Sequence, residues 1–377
     1  MDVLVIGGTL DFGRVTVRRL LDRGDSVTIY SRGNARPDFW DDVGHIIGDR
    51  TDRAGFAANL KGRQFDAVVD NVAYRVEDVR AVVGALRGSV GKYLVSTTVS
   101  VYGAPGHAWR WRTARDKPGP PGADEFVDLA ANCPIREDSI DLSTVSWEYD
   151  PGRDAYAEGK RQMERYLSET PDFPWVVMRI PSVLGPAEPA LRFYWYLQRV
   201  LDGREMILRD GGSGVFRPGF RDDVGGAFVD AIDSPNTANN IYNITGAEIV
   251  TLRRFLEVIA AQAGRELNTV SIPGEVVELA SDLPYEDWWY DFFSRPAVYV
   301  PSIEKARCDF GLRTTPLESW VGETVAWYVE NPPKGPSVQE EAVYTTHYDL
   351  RDKEVELCRR WRKEYGDFAA SFTGASR

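Results

Sequence analysis

Histidine and cysteine are scarce in this chain. Its 377 residues hold three of each. The histidines, His45, His107 and His347, stand far from one another. A zinc site needs several such ligands at short spacing, so no metal is expected. Cys133, Cys308 and Cys358 are far apart and odd in number, which argues against a disulfide framework or a paired-cysteine metal motif. Positive charge is also short: 45 lysines and arginines face 57 aspartates and glutamates, for a net charge of −12. Nucleic acids and anionic membranes attract the opposite sign, so neither is an expected partner. No apolar run approaches the ~20 residues of a membrane span, and no charged leader opens the chain. These absences read as a cytoplasmic protein.

What is present is a chain that is 43% hydrophobic, with apolar runs separated by amphipathic stretches. Strands are expected at residues 3–6, 26–30, 45–47, 65–69, 93–96 and 175–180. Helices are expected at 14–22, 76–86, 156–168, 250–263, 317–330 and, in the tail, 350–365. Near-continuous apolar strands alternating with helices indicate an α/β fold, a Rossmann-type doubly wound parallel sheet. Residues 1–185 read as a dinucleotide-binding domain, interrupted by a loop or insertion at 104–151 rich in Pro, Gly, Trp and charge. Residues 186–331 read as a smaller C-terminal substrate-binding lobe, and 332–377 as an extension with one helix.

The first motif is VLVIGGTLDFGR. A strand runs into a glycine turn that opens a helix, where free N–H groups and the helix dipole favour a phosphate. Gly7 suits the tight turn and Gly13 close packing of helix on sheet. Thr9, Leu10, Asp11 and Phe12 complete the turn. Leu10 stands where the usual middle glycine is missing, and Asp11 follows it. Asp11 has two readings: a cap for the helix, or an acid beside the reaction site. At the end of the second strand, Ser31 and Arg32 stand where NAD-selective folds place an acid, and they suit a 2′-phosphate. Arg32 therefore favours NADP, or else is a solvated loop residue. In GDRTD, Asp49 is either an adenine contact or a turn residue, with Arg50 beside it.

The second motif is DAYAEGK. Tyr156 and Lys160 are four residues apart, on one helix face. Tyrosine alone ionises near pH ~10. A neighbouring ammonium favours its phenolate and so makes it an acid/base for a substrate hydroxyl or carbonyl. The strand before it ends in VSTTVSVYG, which offers hydroxyls to hold the reacting oxygen.

Together GGTxxxGR, GDRTD, VSTTVSVYG, YAEGK and MRIPSVLGP, in this order, resemble the extended short-chain dehydrogenase/reductases, the NAD(P)-dependent sugar epimerase/dehydratase type. The resemblance covers residues 1–331. The later segments are similar to a branch nearer to plant chloroplast stem-loop-binding proteins. It implies tightly bound NAD or NADP, with NAD usual among the epimerases. It assigns Tyr156 as the catalytic tyrosine, Lys160 as the lysine at the nicotinamide ribose and Thr98 as the catalytic hydroxyl. It places Asn71 and Ala73 along the cofactor, and Pro181 and Ser182 near the nicotinamide amide. It also implies a homodimer built on two helices.

The chain departs from the dehydratase pattern after Thr98, where Val99 and Ser100 replace the acid pair that eliminates water. Of the three fates of a transient ketone, epimerisation then needs the fewest extra groups. Dehydration ranks second, with Asp11 and the acids at 124–128 as stand-ins, and reduction of a carbonyl by NADPH third. A non-catalytic RNA-binding protein is the reading from another class. The expected substrate is a small sugar-containing molecule, a nucleotide, nucleoside or nucleotide sugar. Ser100 is a candidate contact to it. Arg217 and Arg221 read as phosphate ligands, or as partners of Asp222 and Asp223. RFYWYLQR and YEDWWYDFF offer stacking faces, or core.

Overall fold

Along the first strand, Val3 and Val5 bury on one face and Leu4 and Ile6 on the other. A strand with helices on both sides must be apolar in this way. The computed structural model describes residues 1–103, 133–148, 155–279, 298–333 and 351–373. β1 (Asp2–Ile6) leads through a turn into α1 (Asp11–Asp22), followed by β2 (Ser26–Ser31), β3 (Gly44–Ile47) and α2 (Arg53–Leu60). Then come β4 (Phe65–Asp70), α3 (Val76–Leu86), β5 (Val90–Thr98), α4 (Ala155–Ser168) and β6 (Trp175–Ile180).

Beyond β6 the elements shorten. β7 (Val183–Leu184), α5 (Arg192–Asp202), β8 (Met206–Arg209), β9 (Val215–Phe216) and β10 (Gly219–Phe220) precede α6 (Arg221–Asp233) and β11 (Asn240–Asn243). β12 (Val250–Thr251), α7 (Leu252–Gln262), β13 (Thr269–Ile272), α8 (Gly274–Leu279), β14 (Val298–Tyr299), α9 (Glu304–Phe310), α10 (Leu317–Glu330) and α11 (Arg351–Thr373) follow.

The main sheet has seven strands in the order β11-β6-β5-β4-β1-β2-β3, and every pairing is parallel. This is the doubly wound α/β sheet that the sequence implies. α1 and α6 cover one face; α2, α3 and α4 cover the other. The sheet takes in β11, beyond the residue-185 boundary drawn from the sequence. α6 also docks on α1, where the Thr16 hydroxyl donates to the Gly225 carbonyl at 3.2 Å. A second core lies under α5, α7 and α10 and includes Phe193, Trp195, Tyr196, Phe255, Trp320 and Tyr328. The aromatics of RFYWYLQR are thus mostly core. YEDWWYDFF and the acids at 124–128 lie outside the described residues.

Register places the site. Ile6 pairs with Tyr30 and Asp70, Asp70 with Val95, and Thr98 with Ile180. The carboxyl ends of β1, β4, β5 and β6 therefore stand level along one edge. Strand order reverses between β1 and β4, and open α/β sheets bind ligands in the crevice at that reversal.

Candidate functional site

The glycine turn sits at that reversal. Gly7 has φ +82°, and a Cβ there would stand 2.5 Å from Val72 Cγ1. A Cβ on Gly13 would stand 2.6 Å from the Gly7 carbonyl oxygen and 2.8 Å from Asn71 Nδ2. Only glycine fits at either position. Leu10 takes the helix N-cap position in extended conformation and offers no side-chain acceptor. Leu10 therefore caps none of the first N–H groups of α1. Leu10 is 51% exposed. Thr9 and Phe12 are half-buried, and Phe12 stacks on Phe228 at 5.8 Å. Asn71, at the end of β4, has both side-chain polar atoms buried without a hydrogen-bond partner. A buried amide in that state implies a ligand or ordered water.

Tyr156 and Lys160 project from the first turns of α4. Tyr156 is 42% exposed, whereas Lys160 is 2% exposed. Lys160 Nζ donates to the carbonyl oxygens of Ala73 at 2.6 Å and Ser96 at 2.9 Å. It lies 5.5 Å from the centroid of the Tyr156 ring and 5.0 Å from that of Tyr74. Burial pulls its ammonium down to about 8, against the pull of Asp70. Thr98 ends β5, buried; its hydroxyl donates to Ser100 Oγ and accepts the Ser100 N–H, both at 3.2 Å. Pro181 and Ser182 follow β6 on the same sheet edge, half-buried.

At the end of β2, Ser31 Oγ accepts the Gly33 N–H at 3.2 Å, and Arg32 is exposed. Asp49 is a turn residue: its Oδ1 accepts from Thr51 N at 2.8 Å and Thr51 Oγ1 at 2.7 Å. Those bonds hold its carboxyl below the usual range, with Arg32 and Arg53 adding to the effect. Arg50, a candidate cofactor contact in GDRTD, has partners within the protein. Its Nη1 donates to buried Asp70 at 2.6 Å and its Nη2 to the Asp78 carbonyl at 3.2 Å. It ties β4 to α3.

No family model matches the chain. A chloroplast stem-loop binding protein of 41 kDa from Arabidopsis thaliana is 22% identical over 275 residues. That match covers 70% of this chain, and the chain spans less than two thirds, 63%, of that relative's length. Solved structures match further. The Bordetella bronchiseptica enzyme WbmH, in complex with NAD+, superposes with a TM-score of 0.60 at 19% identity, over 87% of this chain and 98% of its own. A Bacillus anthracis dTDP-glucose 4,6-dehydratase in complex with NAD gives 0.62 at 18%, over 88% and 97%. A Thermotoga maritima UDP-glucose 4-epimerase with UDP-glucose gives 0.63 at 17%, over 88% and 100%. The chain shares the fold of these three structures.

Within this fold, a buried ion pair holds α4 in place. Arg179 and Glu164 have side chains with no exposure and meet at 2.7 Å. Thr97 Oγ1 donates to Glu164 Oε1 at 2.7 Å, and Arg179 Nη1 to the Tyr102 hydroxyl at 2.7 Å. Tyr102 in turn donates to Asn243 Oδ1 at 2.7 Å. Burial works against the Arg179 charge, but Glu164 and Tyr102 outweigh it and hold the guanidinium above its usual range. Sequence reasoning passed over Glu164. The signal was its spacing, four residues beyond Lys160 on the same helix face.

The two arginines read as phosphate ligands part company. Arg221 donates to the Pro186 carbonyl and pairs with Asp222 at 3.2 Å. Arg217 has Nε and Nη1 buried with no partner. Burial, and Arg307 close by, hold its guanidinium below the usual range. Asp11 is the first residue of α1 rather than its cap, at φ +48°. Its carboxyl faces Glu188, Arg192 and Arg221.

Among the described residues no group of His, Cys, Asp and Glu could hold a metal ion. No described helix is long and apolar enough to cross a membrane.

Proposed function

We propose that the chain is an NAD(P)-dependent epimerase. It acts on a sugar carbon of a nucleotide, nucleoside or nucleotide sugar through a transient ketone. The observation that carries this reading is the buried Lys160 ammonium, held by two carbonyls beside the half-exposed Tyr156 at the sheet's carboxyl edge. The residues present fit a dinucleotide. The turn at Gly7 and Gly13 admits no side chain, and the orphaned amide of Asn71 stands at its floor. Gly7, Thr9, Leu10, Asp11, Phe12 and Gly13 would hold its diphosphate, and Asn71, Ala73, Lys160 and Pro181 its nicotinamide half. Ser31 and the exposed Arg32 favour a 2′-phosphate, hence NADP. When bound, the nicotinamide supplies a reversible hydride acceptor.

The chain's own part is proton chemistry. Tyr156 takes the proton of the substrate hydroxyl as the ketone forms and returns it at the end. Lys160 keeps a positive charge beside the phenolate, which stabilises it. The Thr98 hydroxyl, with Ser100 at 3.2 Å, orients the reacting oxygen. Arg217, with two buried unpaired N–H groups, supplies a phosphate site for the rest of the substrate. Val99 and Ser100 stand in place of an acid pair, so epimerisation is favoured over dehydration. The free cysteines suit a reducing, cytoplasmic setting.

The test is a screen of nucleosides, nucleotides and nucleotide sugars, with product stereochemistry read by NMR. Inversion at one sugar carbon, lost in Tyr156→Phe while nicotinamide cofactor still binds, is the expected result. The second reading, RNA binding, is favoured by the plant relative at 22% identity. RNA affinity with a steep salt dependence, unchanged in Tyr156→Phe and without turnover, would replace the first.

A further inference from the structure

At the glycine turn the Asp11 carboxyl lies in the field of a second carboxyl, that of Glu188. Glu188 lies in the loop before α5 and is 2% exposed. Both its oxygens are served. Oε1 accepts the Arg192 backbone N–H at 3.2 Å and Arg192 Nη1 at 3.0 Å. Oε2 accepts the Phe193 N–H at 3.1 Å. Asp11 is the opposite case. The residue is partly exposed, but its Oδ1 is buried and no group donates to it. Two carboxylates in one another's field do not both ionise readily. The proton belongs on the carboxyl with fewer donors, and that is Asp11, which has the Phe12 backbone N–H where Glu188 has three donors.

Four groups from three helices and one loop face Asp11: Glu188, Arg192 of α5, Arg221 of α6 and Tyr328 of α10. Neither guanidinium is reserved for it. Arg192 is paired with Glu188 at 3.0 Å and Arg221 with Asp222 at 3.2 Å. The Tyr328 hydroxyl accepts the Glu188 N–H at 3.2 Å. Burial lifts Asp11 to about 7, Glu188 adds to this, and the two arginines oppose it.

Asp11 also occupies the first helical residue of α1, next to an N-cap without a side-chain acceptor. A diphosphate on the turn would use the same positive helix end. An ionised Asp11 would compete for that end and repel the diphosphate. A neutral Asp11 would do neither. We infer that Asp11 takes part in cofactor binding as a neutral acid, and that its ionisation expels the cofactor's diphosphate from the glycine turn. By linkage, a bound diphosphate holds the proton on Asp11. The inference rests on the dinucleotide reading of the turn.

The test is the dissociation constant of NAD+ and NADP+, measured by calorimetry at constant ionic strength from pH 5.5 to 9. In the wild type it should rise at least tenfold between pH 6 and pH 9. Asp11→Asn keeps the side-chain shape, and asparagine tolerates the positive φ. In it the Asp11 part of this dependence should vanish. Lys160 titrates in the same window, but equally in both proteins, so the difference between them isolates Asp11. In Glu188→Gln the loss of affinity should begin at lower pH. Carbon-13 NMR of labelled aspartate carboxyls in the cofactor-free protein gives a second readout. One resonance, absent from Asp11→Asn, should titrate near neutrality. Superimposable binding profiles, or an Asp11 resonance in the ordinary acidic range, overturn the inference and leave the dinucleotide reading intact. No binding at any pH overturns both.

Discussion

Lys160 sits between two demands. Its ammonium needs the carbonyls of Ala73 and Ser96 to be tolerated at 2% exposure. Even so, burial pulls it from 10.5 to about 8. Between those two values the unfolded chain holds more protons than the folded one, so this group's contribution to stability rises with pH there. Its part in the proposed catalysis runs the other way, since the charge beside Tyr156 is lost as pH rises through about 8. A kcat/KM profile should therefore show an alkaline limb near 8 while thermal stability does not fall in parallel. Lys160→Met should lower kcat by about 10²-fold or more and leave two carbonyls unsatisfied. Single-turnover rates and far-UV circular dichroism would separate the two effects. Arg217 makes a different demand. The folded state works against its charge, and its buried Nε and Nη1 have no partner among the described residues. Arg217→Met should leave the melting temperature unchanged or raised, while KM for a phosphate-bearing substrate rises tenfold or more. A fall in stability with KM unmoved would make Arg217 a structural residue.

At the scale of elements, what was legible in the sequence had a period. β1, β4 and β6 are short apolar runs, and α3 and α4 carry the helical repeat, so each could be read. α2 was missed because only Phe56 and Leu60 of its eight residues are buried. β5 was read too short because Val90, Gly91 and Lys92 are half-buried or exposed, although they continue the ladder beside β4. The Tyr156–Lys160 pair was visible as a spacing. The ion pair that fixes its helix was not, because Glu164 and Arg179 are 15 residues apart and meet only through the fold. That pair carries a prediction of its own. Glu164→Gln would leave Arg179 as an uncompensated buried charge, at a cost of about 3–5 kcal/mol. Urea denaturation should show that loss. Because α4 carries both Tyr156 and Lys160, kcat should fall as well, although Glu164 does not reach the reacting atoms.

At the scale of the whole molecule, the question is whether residues beyond 332 are an appendage. The sequence reads them as an extension with one helix. The contacts of α11 argue that its first half is part of the second lobe. Glu354 is fully buried and accepts from Arg199 Nε of α5 at 3.0 Å and from the Ile207 backbone N–H of β8 at 3.0 Å. Arg351 reaches Asp202 Oδ2 at 2.8 Å and Glu354 Oε2 at 2.9 Å. Cys358 is fully buried in the core formed by Phe193, Trp195 and their neighbours. α5 therefore ties the tail to the site: Arg192, beside Asp11 and Glu188, is at one end, and Arg199 and Asp202 are at the other. Removing α11 would take Glu354 away from the buried Arg199 and Ile207 N–H and uncover part of the second core. A chain ending at residue 350 should melt well below the full chain and lose substrate affinity before cofactor affinity, because the cofactor turn belongs to the main sheet. The three cysteines report on this directly. Cys133 and Cys308 are exposed, whereas burial pushes the Cys358 thiol up to about 12. Ellman's reagent should titrate two thiols quickly in the native protein, and the third only at the rate at which α11 detaches. A third thiol that reacts as fast as the other two would mean that α11 is an appendage after all.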